Sequence, residues 1–273
     1  MTQEEQLFDD PWRAGAVAGG RGDSWANDVV AALDSEGGHY LATLAKWFTQ
    51  FPTASTTDRA AMKARLESFT TSDHLGAVNE LAWYQFMRQS CFQIDPISTA
   101  KTARPDFMLT GPTPVFAEVS TLNVSDGEKA SLRDTGGVGL NHRETVRRLL
   151  LKVSDEKRAQ FEYAAANGLP CLLVLFDYTF WSGLATDLYR FLASELLRDA
   201  PAFSGLPSAL SAIVYVERRV MAGRIVLSRL RSAIYHNPAA SYGLDPRMFN
   251  MLRHFGHDIR EIAPGVEGDW IEL

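Results

Sequence analysis

The stretch Arg104-Pro105-Asp106-Phe107-Met108-Leu109-Thr110-Gly111-Pro112-Thr113-Pro114-Val115-Phe116-Ala117-Glu118-Val119-Ser120 decides the fold of the chain. Two short apolar runs, 107–109 and 115–117, flank a Thr-Gly-Pro-Thr-Pro segment, so the stretch reads as a β-hairpin. One acid opens the first strand and another closes the second. A hairpin of this length brings its open ends together and sets Asp106 beside Glu118. Two neighbouring carboxylates repel, and at least one pKa rises unless a cation sits between them. A hard, oxygen-seeking cation such as Mg²⁺ suits such a pair.

Upstream, Ser72 reads as the N-cap of a helix running to about Gln89. Leu75, Val78, Ala82 and Phe86 form one apolar face, and Ala77, Leu81, Tyr84 and Met87 cover much of the rest. A helix apolar nearly all round is buried. Glu80 sits in its middle and needs a cation, a hydrogen-bond set or a proton. It is a candidate metal ligand; the alternatives are an arginine partner or an exit to the surface beside Asn79. Residues 1–23 read as a loose acidic leader. Residues 24–69 read as helices with stripes at Trp25, Val29, Val30 and Leu33, and at Tyr40, Leu41, Leu44, Trp47 and Phe48. Thr57 caps a third helix through Ser68.

Downstream, residues 91–97 alternate like a strand, and 121–141 form a long polar loop containing Gly136-Gly137-Val138-Gly139. That run lacks the Gly-Lys-Ser/Thr ending of a phosphate-binding P-loop, so a flap beside a cleft is the better reading. A helix over 143–167 follows, ended by Gly168 and Pro170. At about 100° per residue, Val146, Leu149, Leu150, Val153, Phe161 and Ala164 share one face. Lys157 and Gln160 fall within it, and Lys152 points away. Lys157 either serves a site or snorkels to the surface. Residues 171–176 form a continuous apolar run, a buried strand parallel to the one before the helix. A helix over 184–197, strands over 212–216 and 225–230 around Met221-Ala222-Gly223, and a tail with one short helix within 246–255 complete the chain.

The formal charge of −6 argues against a general nucleic-acid coat protein but leaves room for a local basic cleft. Two such stretches stand out: Arg143, Arg147, Arg148, Lys152, Lys157 and Arg158 on the long helix, and Arg218, Arg219, Arg224, Arg229 and Arg231 on the late hairpin. No apolar run approaches the ~20 residues of a membrane span, and the acidic N-terminus does not resemble a signal peptide. Cys91 and Cys171 read as buried, reduced thiols. A cytoplasmic protein without membrane attachment is the expectation. His254 and His257 have metal-ligand spacing without a third ligand nearby and read as surface residues. Trp83, Tyr84 and Trp181 could stack bases, with core packing the plainer assignment.

The order of these parts resembles the PD-(D/E)XK nuclease superfamily, the restriction-endonuclease-like fold. The residues that carry the resemblance are Glu80, Pro105-Asp106, Glu118-Val119-Ser120 and Lys157-Arg158-Ala159-Gln160, within about residues 72–235. It implies an α/β protein with a mixed β-sheet flanked by helices. The N-terminal helical region, 1–71, would be an annex, and 236–273 a C-terminal tail packed on the core. It implies a metal-dependent endonuclease acting on phosphodiester bonds, in DNA more than RNA. Glu80, Asp106, Glu118 and the Val119 carbonyl would hold Mg²⁺, or Mn²⁺ in its place. Lys157 would meet the scissile phosphate, and Gln160 would steady Lys157 or the attacking water. Arg143, Arg147, Arg148, Arg218, Arg219 and Arg229 are the candidate contacts to the nucleic-acid backbone. Double-strand cutting needs two sites, so a homodimer is a further expectation. One position departs from the pattern: Ser120 stands where the motif carries lysine. Lys157 is the expected replacement, with Lys152 as the fallback. If neither serves, the alternative is a catalytically inactive relative that binds nucleic acid or protein. In a third reading, Asp106 and Glu118 have only turn and strand-end roles.

Overall fold

Strand β3 is buried along its whole length, and the other layers are arranged around it. The computed structural model describes residues 6–17, 39–98, 103–122, 142–177, 206–256 and 269–273. The helices are α1 (Asp10–Val17), α2 (His39–Gln50), α3 (Thr56–Leu66), α4 (Thr71–Gln89), α5 (His142–Leu151) and α6 (Arg158–Ala166). The strands are β1 (Gln93–Pro96), β2 (Phe107–Thr110), β3 (Val115–Leu122), β4 (Cys171–Asp177), β5 (Ala212–Met221), β6 (Arg224–His236), β7 (Arg253–Phe255) and β8 (Trp270–Glu272). They form one mixed eight-stranded sheet in the order β1-β2-β3-β4-β5-β6-β7, with β8 also on β6. β1, β2 and β3 are antiparallel, as the hairpin reading requires; β3, β4 and β5 are parallel, joined by crossovers. The protein is therefore α/β, with helices on both faces of a mixed sheet.

Strand alternation sorts β3 between two cores. Val115, Ala117 and Val119 pack with α2, α3 and α4, whereas Phe116 and Leu122 pack with α5, α6 and the alternate residues Leu173 and Leu175 of β4. The apolar α4 buries Leu75, Val78, Leu81, Ala82, Trp83 and Phe86 completely between sheet and outer helices, so Trp83 and Tyr84 are core residues and not base-stacking platforms. No helix among the described residues is long and apolar enough to cross a membrane.

Several expectations are corrected. α4 starts at Thr71 after Thr70, which makes no side-chain cap, so Ser72 is not the cap. Ser55, not Thr57, caps α3, accepting from Asp58 N at 3.1 Å, and the helix ends at Leu66. The leader contains helix α1, with Leu7 and Phe8 buried. Cys91 is exposed at the end of α4 with φ of 63°, while Cys171 is buried as expected. The late hairpin is much longer than its apolar runs suggest: polar residues 217–219 continue β5, and β6 reaches His236. Its two-residue turn, Ala222-Gly223, has positive φ at both positions, the geometry that matches the twist of paired strands. The tail adds β7 and β8 to the sheet, and its short helix is a single 3₁₀ turn, Pro246–Phe249. The glycine run of 136–139, the 184–197 helix, Trp181 and His257 lie outside the described residues.

The largest correction concerns residues 143–167. The expected single helix is two helices joined by a π-turn, Lys152–Glu156, where Lys157 N donates to Lys152 O at 3.0 Å across five residues. A π-turn realigns i with i+5. Lys152 and Lys157, about 140° apart on a regular helix, are brought to the same side.

Candidate active site

β2 ends before β3 does. The pairing runs Leu109↔Val115 to Phe107↔Ala117, and the chain before Asp106 leaves the sheet while β3 continues to Leu122 against β4 alone. A notch opens where β2 is missing. Continuing the register by one residue sets Asp106 opposite Glu118 on the same face. Val119 N, which points into the notch, donates to Asp106 Oδ2 at 2.8 Å. Because N–H and C=O of one strand residue point to the same side, the Val119 carbonyl faces the notch too.

Glu118 points to the α5/α6 layer, where Lys157 Nζ donates to its Oε1 at 2.5 Å. The Glu118 side chain is 3% exposed and that of Lys157 23%, so the pair is closed on the protein side and open on the cavity side. The position of Lys157 comes from the π-turn, which it follows directly as the C-cap. From the other layer α4 supplies Glu80, whose Oε1 accepts from Arg65 Nη2 of α3 at 2.6 Å. The arginine-pair alternative for Glu80 is thus realised, and Glu80 still lines the same cavity. That cavity, about 490 Å³, is bordered by Glu80, Asp106, Glu118, Val119, Lys152, Lys157 and Gln160, together with Arg65, Arg104, Ser120 and Thr121.

The acids shape its electrostatics. Burial raises the Asp106 pKa well above the usual carboxylate range, and the neighbouring Glu118 and Glu80 charges push the same way; the Val119 N–H and Lys157 oppose. Burial also raises Glu118, against the pull of Lys157. Burial alone would lower the Lys157 ammonium, but Glu118, Asp106 and Glu80 outweigh it and raise its pKa, so it stays charged. The result is a pair of buried carboxylates, Asp106 and Glu118, each easier to protonate than in water, with cations on two sides of the cavity.

This donor chemistry suits a hard cation. Among the described residues Glu118 Oε2 is buried without a hydrogen-bond partner, as is Gln160 Oε1, and carboxylate and amide oxygens are the donors that a hard cation takes. As they stand, though, no three His, Cys, Asp or Glu side chains among the described residues form a ready metal cluster. Each acid is engaged elsewhere: Glu80 by Arg65, Glu118 by Lys157 and Asp106 by the Val119 N–H.

The proposed backbone contacts fare differently. Arg218 is fully buried, with Nε donating to Asn79 Oδ1 at 3.0 Å, and cannot reach a nucleic acid. It lies on β5 in line with Val216 and Val220, facing α4. Asn79, which does not lead Glu80 to the surface, is itself fully buried and donates to Thr121 Oγ1 at 3.0 Å. Arg219 is held by Glu217 and lies over the Trp270 ring, 5.0 Å from its centroid. Arg229 is half-buried in a bulge of β6, its N–H on the Asp269 carbonyl. Among the described residues none of these three lines the cavity. Arg147 is exposed on α5; Arg148 is half-buried beside Leu122, Lys152 and Glu156. Arg143 belongs to α5, and its side chain lies outside the described residues. His254 is buried, bonded to His236 and to the Phe249 carbonyl at 2.9 Å each, and is not a surface histidine.

Sequence reasoning missed Arg65 and Arg104. Arg104, beside Pro105, lies over the Tyr163 ring at 5.4 Å. The signal for Arg65 was Gly76, an unexplained glycine inside an apolar helix. No protein-family model matches this chain, and no curated protein or solved structure matches it either.

Proposed function

We propose that the chain is a metal-dependent nuclease of restriction-endonuclease-like fold that hydrolyses phosphodiester bonds, in DNA. The observation that carries the reading is the Lys157–Glu118 pair, 2.5 Å apart, beside Asp106 and Glu80 in an open cavity. A lysine from the helix layer thus occupies the region that Ser120 leaves without charge.

Glu80, Asp106, Glu118 and the Val119 carbonyl would hold Mg²⁺ or Mn²⁺. When bound, such an ion supplies an acidified water and charge stabilisation at the phosphate. The remaining roles belong to the chain. Lys157 offers a fixed positive charge where a phosphate oxygen gains negative charge, and partial exclusion of water makes that charge count for more. Gln160 Oε1 can accept a hydrogen bond from Lys157 or from the attacking water and hold it in place. Ser120 contributes a hydroxyl but no charge. Arg104 and Lys152 border the cavity and can receive the adjoining phosphates.

The test is nicking of supercoiled plasmid by the purified chain in Mg²⁺, Mn²⁺ or EDTA. Cutting is expected with either ion, and none with EDTA or in Asp106→Ala. Cutting that survives chelation removes the metal mechanism. Ser120 favours one second reading, a catalytically inactive relative that binds nucleic acid or a protein; it predicts duplex binding without nicking under every ion. A homodimer follows from the need for two cuts and would appear as a doubled mass in sedimentation.

A further inference from the structure

We propose that Arg65, delivered by α3 from outside the sheet, is a further phosphate-binding residue of this cavity, and that position 76 is glycine to make room for it. The inference rests on the nuclease reading. The Arg65 side chain makes one hydrogen bond among the described residues, from Nη2 to Glu80 Oε1. Its side chain is 40% exposed, against 13% for Glu80, so one edge of the guanidinium holds the acid while the rest faces the cavity. A planar fork with five donors can serve a carboxylate and a phosphate together.

The glycine is the independent observation. A Cβ built at Gly76 would lie 3.0 Å from Arg65 Nη2. Gly76 and Glu80 are one turn apart on the same face of α4, so the guanidinium lies along that face, over the glycine and against the acid. Glycine inside a helix is a poor helix former compared with alanine and persists where something must approach the backbone closely. The close approach lets the guanidinium reach past α4 to Glu80 and the cavity beside it. Lys157 reaches the acids from one layer and Arg65 from the other. A phosphodiester, with two unbridged oxygens, can be met on both sides.

The experiment is binding of a labelled duplex oligonucleotide over a salt series, in Ca²⁺ and in EDTA, with plasmid nicking measured alongside. Arg65→Gln should weaken binding about tenfold and lower the slope of log K against log salt by about 0.9, the loss of one phosphate contact. Arg65→Lys should keep the slope. Arg65→Gln combined with Glu80→Gln should retain the loss in EDTA, which separates a lost contact from an unmasked carboxylate. Gly76→Ala should weaken binding without lowering the melting temperature, because alanine favours the helix while its methyl makes the guanidinium shift by a few tenths of an ångström; this variant carries the test if Arg65→Gln folds poorly. Wild-type affinity and slope in both Arg65→Gln and Gly76→Ala overturn the role of Arg65 and leave the nuclease reading standing. A wild type that neither binds nor nicks removes both.

Discussion

Replacing Asp106 by asparagine should stabilise the fold and abolish cutting at once. The register places Asp106 opposite Glu118, with Cβ atoms about 5 Å apart in such a pair. Two charges at about 5 Å repel by roughly 3 kcal/mol at an effective dielectric of about 20. Lys157 on Glu118 and the open cavity reduce that, leaving about 1–2 kcal/mol to be recovered. The asparagine oxygen can keep the Val119 N–H bond, and the attraction of Lys157 for the Asp106 charge, which the change removes, is part of that reduction. A gain of that size raises the melting temperature by roughly 2–5 °C in a chain of this length.

The gain must also depend on pH in one direction. Asp106 has a folded pKa raised by burial and by Glu118, so the folded state keeps a proton that the unfolded chain has released. The stability from this group is complete below the ordinary carboxylate pKa and is lost as pH rises through the raised one. The advantage of Asp106→Asn is therefore small near pH 4 and grows toward pH 8. Calorimetric melts of both proteins across that range, with plasmid nicking, decide the matter. A variant that melts below wild type at pH 8, or a gap that narrows as pH rises, refutes the account of a strained acid pair. Undiminished nicking refutes the role of Asp106.

Lys157→Met leaves Glu118 without its ion-pair partner and should cost about 2–3 kcal/mol, less than the ~3–5 of a fully buried pair, while nicking falls at least ~100-fold; denaturant melts and initial rates report both, and full activity would move the role to Lys152. Asn79→Ala removes the bonds to Arg218 Nε and Thr121 Oγ1 and should cost roughly 2–4 kcal/mol, read from urea midpoints; a loss within error would show that other contacts satisfy Arg218. Burial holds His236 down to about 4, with His254 adding to the shift, and burial lowers His254 as well. The stability they contribute is present above the ordinary imidazole pKa and is lost as pH falls from about 6.5 toward 4. Urea midpoints should fall over that window, and His236→Gln should flatten the fall; an unchanged slope would sink the assignment.

The hairpin was legible because its information is local. A five-residue turn, two apolar runs and an acid at each open end determine that Asp106 and Glu118 meet, and no distant residue can alter that pairing without breaking the turn. The β3–β4 crossover was legible from the apolar run and the handedness of such units. The π-turn was not. It adds a residue to one helical turn, so a phase count at 100° per residue misreads the angle between Lys152 at its start and Lys157 after it, and sets the two lysines on different sides. The burial of Arg218 was missed for a different reason. Clustered arginines read as a charged surface, yet once β5 extends through Glu217, period-two alternation puts Arg218 in line with Val216 and Val220. Charge density argued for solvent, but the side chain is buried with Asn79 as a partner.

Those buried polar contacts explain how a nearly all-apolar helix aims one acid. α4 packs Leu75, Val78, Leu81, Ala82 and Phe86 on all sides, and apolar packing of that kind tolerates small rotations with little change in buried area. Polar ties do not. His74 is fixed by Tyr40 Oη at 2.9 Å and the Leu66 carbonyl at 2.6 Å, and Asn79 joins Arg218 to Thr121. Rotating α4 by one residue's worth, about 100°, would break every one of these bonds inside the core, where each lost bond leaves a desolvated group. With Asn79 pinned to the sheet, the next residue has one direction left, toward the notch where β2 has ended. Glu80 reaches the cavity because its neighbour is anchored, so Asn79→Ala should disturb the acid cluster as well as the core.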